Sequence, residues 1–269
     1  HFDVKALATR GAVVDKDLRE ALKNRIPQRV KTHNVLDFGN PSSVFLIICV
    51  KIHIKFCVEI LTIAINTNLF KPRNKQEARI KCNLPTDKRL ILFGSAKITD
   101  KRKGIDYFIE SCRVLAERYP ELKDELGIVV YGKDSEQLKP LVPFQVYPLN
   151  YISNEKELID VYNSVDLFVT PSLEENLPNT IMEAMACGVP CVGFQVGGIP
   201  EMIDHLHNGY VAEYKSVDDF ANGIHWALSE SEYKALSEEA CRKVSSSYSE
   251  NAIAKRYIEV YNKITGDNE

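Results

Sequence analysis

Glu175 and Glu183, with seven residues between them, and the adjacent cations Arg102 and Lys103 are the side chains of this sequence best suited to a polar ligand. A carboxylate accepts two hydrogen bonds from a vicinal diol. A cationic turn that opens a helix suits a phosphate, because the helix start adds free N–H groups and partial positive charge. Arginine also grips such an anion bidentately. An anion on Arg102 and Lys103, flanked by diols on Glu175 and Glu183, has the outline of a nucleoside diphosphate sugar. Its ribose supplies one diol and its hexose the other. Each feature has an ordinary alternative: a solvated basic turn, a Glu183 paired locally with a lysine, a hydrated Glu175. Residue types and spacing alone leave both readings open.

These side chains need elements to position them. "TPSLEENLPNTIMEAMACG" (170–188) reads as a strand end, a loop and a short helix stopped by Gly188. Asn176 and Leu177 lie on that loop, and Pro178 leaves Asn179 or Thr180 to begin the helix. "GSAKITDKRKG" (94–104) opens on Gly94 and Ser95 and closes on Gly104 just before a second helix. Neither GxxxxGK[ST] nor GxGxxG is present. From Arg89 onward the short apolar runs "RLILFG", "GIVVYG", "DLFVTPS", "VPCVGF" and "GYVAEY" alternate with helical periods. In one of these, Ile105, Phe108, Ile109, Cys112, Leu115, Ala116 and Tyr119 share a face. Asn154 and Glu157 suggest a capping box, and three closing helices begin near Ser216, Ser231 and Ser249. The pattern predicts an α/β fold, a Rossmann-like doubly wound parallel sheet. Such sheets bind ligands at the carboxyl ends of their strands, where strand order reverses. The loops after Phe93, Val130, Val169 and Phe194 are therefore the informative ones.

Residues 1–66 read differently. "DKDLREALKNRI" has a helical pattern, and "NVLDFGNPSS" looks like a short strand entering a turn. The apolar run 44–65 carries Lys51, His53, Lys55 and Glu59, and charges at a bilayer centre cost about 2.5–3.5 kcal/mol each. A transmembrane helix is thereby excluded, and the alternation from Lys51 to Phe56 is strand-like. "NTNLFKPRNKQEARIKCNLPTDK" reads as a linker with a short helix. The expected division is 1–66, then 67–269 as the sheet domain with a terminal helix.

The 269 residues are 45% hydrophobic, enough to bury one or two cores. A net charge of −3 argues against general nucleic-acid binding. Seven irregularly spaced cysteines without a CxxC pair fit buried, reduced thiols in a cytoplasmic protein and argue against zinc. Asp15 and Asp17 could be read as a metal-binding DxD, but acids opening a helix are ordinary. No secretory signal is visible, and a chain opening on His1 fits a piece of something longer.

"EENLPNTIMEAMACGVP" resembles the E-x7-E signature of the family 4 retaining glycosyltransferases, with Glu175 and Glu183 on its two glutamates and Pro178 and Asn179 on its Pro-Asn. "LILFGS…KRKGIDYFIES", "VYG", "PLNYISNEKELIDVYNSVDLFVTPS", "GFQVGGIPEMI" and "HNGYVAEY" are similar to further family segments in the same order. The likeness runs from about Thr67 to Tyr261. It implies the second half of a GT-B architecture, made of two Rossmann-like domains. It also implies that Arg102 and Lys103 neutralise the diphosphate of a UDP- or GDP-sugar, Glu183 binds its ribose and Glu175 contacts the transferred sugar. Gly94 and Ser95 belong to the phosphate loop, and Gly132, Tyr151 and Ile152 border the base. No metal or other cofactor is implied. The acceptor, a glycan or a lipid-linked sugar, is unspecified, and family analogy suggests cell-surface polysaccharide assembly in a bacterium, with peripheral contact at the inner face of the plasma membrane.

Three departures accompany the likeness. Ser95 stands where many relatives have arginine. Val44, Thr62 and Ile63 replace the usual Trp, Pro and Asn of the hinge segment. Only residues up to about 43 are left for an acceptor domain, so no acceptor-side histidine is assigned. With that domain reduced, the terminal stripe Ala252, Ile253, Tyr257, Val260, Tyr261 and Ile264 is expected to be exposed or to pair with a second copy. The competing function is a donor-binding module that does not catalyse transfer.

Overall fold

The computed structural model describes residues 46–52, 55–61 and 64–265. The helix and strand expected before Leu46, the pair Asp15 and Asp17, and His53 lie outside the described residues. The elements open with β1 (Leu46–Ile52), β2 (Lys55–Leu61), α1 (Lys75–Lys81) and β3 (Arg89–Lys97). A 3-10 turn (Lys101–Lys103) leads into α2 (Ile105–Arg118), followed by α3 (Leu122–Glu125) and β4 (Leu126–Lys133). Next come β5 (Gln145–Pro148), α4 (Glu155–Ser164), β6 (Leu167–Thr170), α5 (Asn179–Ala186) and β7 (Cys191–Phe194). The chain continues with α6 (Ile199–Met202), β8 (Gly209–Ala212), α7 (Val217–His225), α8 (Tyr233–Ser247) and α9 (Glu250–Thr265).

Strands β3 to β8 form one sheet in the order β5-β4-β3-β6-β7-β8, and every pairing in it is parallel. Parallel strands covered on both faces must be apolar throughout, which accounts for the continuous runs in the sequence. Ile91, Phe93, Ile128 and Val130 pack with α2 and α7 in one core, and Phe93 stacks on Phe108 at 5.3 Å. The alternate residues Leu90, Leu92 and Val129 are equally buried, on the opposite face. Strand order reverses between β3 and β6, which are neighbours although β4 and β5 intervene in the chain. That is the crevice position of doubly wound sheets.

Some expectations are corrected. The sheet has one strand more than the five foreseen. β5 is short and lies at the sheet edge, where Pro148 and its missing N–H are tolerated. Asn154 does cap α4, but its side chain accepts from Lys156 N at 2.9 Å, not from Glu157. The stretch read as a linker with a short helix does hold that helix, α1, but it is packed rather than linking: Phe70, Ala78, Arg79 and Leu84 are buried, and α1 packs on α4. The strand-like alternation from Lys51 to Phe56 is interrupted, because β1 ends at Ile52 and its antiparallel partner β2 starts at Lys55.

One compact unit runs from Phe70 to Val244 and contains the whole six-stranded sheet. Residues from Ser245 onward group with the described residues up to Leu69 in a second unit. Within that second unit Ile65 N donates to Tyr248 O at 2.9 Å, and α9 contacts β2. The expected exposed stripe on α9 is not found in its described part. Ile253 and Val260 are each only 4% exposed, and Ala252 and Tyr257 are half-buried. The chain itself covers them, which removes the observation on which self-association through this helix rested.

Candidate functional site

The loops that leave β3 and β6 at the order reversal are fastened to each other. Gly104, with φ 70°, approaches the Pro171 carbonyl so closely that any Cβ would collide with it. Leu173 N donates to Arg102 O at 2.7 Å. Lys103 Nζ forms an ion pair with Glu175 Oε1. The same carboxylate oxygen accepts from Ser172 Oγ at 2.9 Å, and Ser172 Oγ lies 3.1 Å from Thr170 Oγ1. From the other side the turn after β7 closes in. Gly197, with φ 55°, leaves no room for a side chain against Glu175 O, and Gly198 N donates to Asn176 O at 2.5 Å. Two glycine-dependent approaches therefore hold the Glu175 loop between its neighbours.

Glu183 sits on α5, which starts after Pro178 without a side-chain cap. The helix ends in a Schellman turn: Gly188, with φ 77°, donates to Met185 O, and Val189 N donates to Ala184 O, both at 3.0 Å. Buried Ile181, Met182, Ala184 and Met185 surround the glutamate in sequence. Tyr162 OH donates to Glu183 Oε2 at 2.8 Å. Burial pushes the Glu183 carboxyl up to about 7; the Tyr162 hydrogen bond opposes that rise and Glu155 adds to it. Raising the carboxyl from 4.5 to about 7 means that the ionised form is disfavoured by on the order of 3 kcal/mol. Neither ordinary alternative holds: the lysine pairs with Glu175, and Glu183 is held by a tyrosine.

Arg102 behaves differently from Lys103. Its Nε and NH2 donate to the two Asp100 oxygens at 3.2 and 2.8 Å, and its side chain is 62% exposed. Hydrogen bonding from Arg102 in turn holds the Asp100 carboxyl below its ordinary value. Gly94 admits the Tyr131 ring, which a side chain at that position would strike. Ser95 is buried, and its Oγ has no hydrogen-bond partner among the described residues. Gly132, with φ 132°, abuts Ser95 O, and its N–H donates to Asn150 O at 2.6 Å. Beyond it Tyr151 is exposed, with Lys133 Nζ 5.9 Å from its ring centre, and Ile152 is half-buried. Around the α5 start Asn176 is exposed, Pro178 is buried, and Leu177, Asn179 and Thr180 are half-buried.

Sequence reasoning missed Tyr131, Tyr162 and Ser172 as parts of this region. Tyr162 lies buried on the inner face of α4, and a buried tyrosine hydroxyl requires a partner. Its position in the helix preceding β6 was the available signal. Among the described residues no group of three or more His, Cys, Asp or Glu is placed to hold a metal ion. Nor is any described helix long and apolar enough to cross a membrane.

The family model for "Glycosyl transferases group 1" matches residues 74–244, more than half of the chain and the whole of this region. The chain belongs to that family. An α-1,3-N-acetylgalactosaminyltransferase of Campylobacter jejuni, acting on N,N'-diacetylbacillosaminyl-diphospho-undecaprenol by its name, is 28% identical over 78% of this chain and 55% of its own length. The C-terminal domain of a group 1 family protein (LpcC) from Francisella tularensis superposes with a TM-score of 0.58 at 24% identity. That match covers 69% of this chain and 99% of the Francisella domain. HepE from Anabaena, solved with UDP-glucose, gives a TM-score of 0.62 at 18% identity, over 76% of this chain and 57% of its own. At these identities the solved structures establish the fold, the Rossmann-like half of a GT-B glycosyltransferase. The family member described here spans about half the length of the curated relatives it matches.

Proposed function

We propose that the crevice between the carboxyl ends of β3 and β6 binds a nucleoside diphosphate sugar, UDP- or GDP-linked, and that the protein transfers its hexose with retention to a glycan or lipid-linked acceptor. One observation carries the reading. The cationic turn after β3 and the glutamate loop after β6 meet through the Lys103–Glu175 pair, with a second carboxylate one helical turn into α5. In this reading Lys103 and Arg102 neutralise the diphosphate, and the exposed Arg102 exchanges its Asp100 partner for phosphate at little cost. Glu183 accepts from the ribose diol and Glu175 from the transferred sugar, while Gly132, Tyr151 and Ile152 border the base. Charge developing on the departing diphosphate is stabilised by fixed cations and helix N–H groups, without a metal in the role. The departing phosphate is suited to take the acceptor proton. The Campylobacter relative's acceptor, a sugar on diphospho-undecaprenol by its name, supports a lipid-linked acceptor here, and a role in cell-surface polysaccharide assembly is part of the same proposal.

Isothermal titration with UDP and GDP, beside donor-hydrolysis and transfer assays, tests this. One nucleotide should bind, and Glu183→Gln should weaken it roughly 10- to 100-fold through loss of charge-assisted bonds. Binding without turnover supports the donor-binding module instead. Binding of neither nucleotide contradicts the proposal.

A further inference from the structure

We propose that Tyr162 is the positioning residue of Glu183, and that Tyr131 holds Tyr162 in that role through a directed pair of hydroxyls. The inference deepens the donor-binding reading and rests on it for its functional meaning. Tyr162 is fully buried, and its single hydroxyl proton goes to Glu183 Oε2 at 2.8 Å. The phenol oxygen is then left to accept, and the group facing it is the Tyr131 hydroxyl at 3.3 Å. The direction follows: Tyr131 donates to Tyr162, and Tyr162 donates to the carboxylate. The second contact is the longer, so its share is the smaller.

The chain crosses four elements, from Tyr131 on β4, its ring over Gly94 of β3, through Tyr162 on α4 to Glu183 on α5. With Oε2 taken, the carboxylate is fixed in rotation and Oε1 is the oxygen left for a ligand diol. A diol donates most strongly to the ionised form, which is all acceptor, and burial disfavours that form. The groups that face Glu183 are Tyr162 and Glu155 from α4, Tyr131 from β4 and Cys187 from its own helix. Among these, Tyr162 is the one whose hydrogen bond supports the carboxylate, whereas Glu155 opposes it. Donor binding therefore expels a proton from Glu183 on the acid side of neutrality, and Tyr162 sets where that begins.

The rings also fill space, since Tyr162 packs edge-on to Phe168 at 6.0 Å. Tyr162→Phe keeps that packing and removes only the donor. Two readouts decide: the midpoint of the Glu183 side-chain carboxyl in a 13C titration of the ligand-free protein, and UDP and GDP affinities from pH 5.5 to 8.5. The expected result is an upward move of the midpoint, a fall in nucleotide affinity of about 10-fold near neutrality, and a binding profile displaced to higher pH. Tyr131→Phe should move both in the same direction by less, and it serves if Tyr162→Phe does not fold. An unmoved midpoint and profile, even with a lowered melting temperature, would overturn the inference and leave Tyr162 as packing alone. Should wild type bind neither nucleotide, the donor-binding reading falls, while the titration still decides whether Tyr162 governs Glu183.

Discussion

The two ends of the central sheet treat charge in opposite ways. At the amino end Arg79 is buried and every arm of its guanidinium is used. Nε donates to Ser164 O at 2.8 Å, NH1 to Thr86 O at 3.3 Å and Lys88 O at 2.9 Å, and NH2 to Asp166 Oδ2 at 2.7 Å. Asp166 also accepts from Leu90 N at 2.7 Å and from Lys75 Nζ at 2.6 Å. Here a charged network ties α1 to the starts of β3 and β6. At the carboxyl end the same two strands lead to a solvent-facing Arg102, a buried Ser95 hydroxyl without a partner among the described residues and a half-buried Glu183 held by one phenol. Charge at one end is spent on holding the strands together, and at the other it is left available. Incomplete satisfaction at a strand-order reversal is what a binding crevice requires.

Substitutions at the two ends should therefore differ in sign as well as size. Arg79→Met breaks a buried pair, leaves Asp166 to Lys75 and Leu90 N alone, and takes the Arg79 donors from the Ser164, Thr86 and Lys88 carbonyls, so urea unfolding should show a loss of about 3–5 kcal/mol. Nucleotide affinity of the folded fraction should be unchanged; a loss below about 1 kcal/mol would erase the contrast.

Glu183→Gln should do the reverse. The folded-state carboxyl, at about 7, lies above its ordinary 4.5, so the native state holds more protons than the unfolded chain between those values. Wild-type stability accordingly falls as pH rises through that window, by on the order of 3 kcal/mol, and levels off above it. The glutamine variant lacks this decline, so it should be the more stable protein at pH 8 and lose the advantage at pH 4. Unfolding curves at both pH values check the sign.

Smaller effects sharpen the contrast within the cationic turn. Lys103→Ala should reduce nucleotide affinity about 5- to 10-fold and flatten its salt dependence, changing stability by no more than about 1 kcal/mol. Arg102→Ala should cost similar affinity and leave stability unmoved, because Arg102 is exposed and its one ion pair among the described residues is with neighbouring Asp100 on the same turn. Titrations at two ionic strengths, with melts alongside, separate the two residues.

The sheet was readable because burial on both faces forces unbroken apolar runs, as in Leu90–Phe93 and Leu167–Val169, and because glycines mark where those runs end. The loops that bear the candidate site followed from the topology. What the residues do to one another did not. Arg102 and Lys103 are adjacent in a three-residue turn that sends one to Asp100 and the other to Glu175, a divergence that spacing does not encode. Tyr162 carries its hydroxyl on an apolar helix face, so its periodicity conceals its polar task. β5 was too short and too close to prolines to register, and the charged residues of α1 concealed that this short helix is packed.

Hydrogen–deuterium exchange with and without saturating UDP or GDP tests most directly whether the carboxyl end binds while the amino end only supports. The account predicts slowed exchange across 94–104 and 171–183, with 75–90 unaffected. Protection spread evenly over both ends, or absent from those two loops, would contradict it.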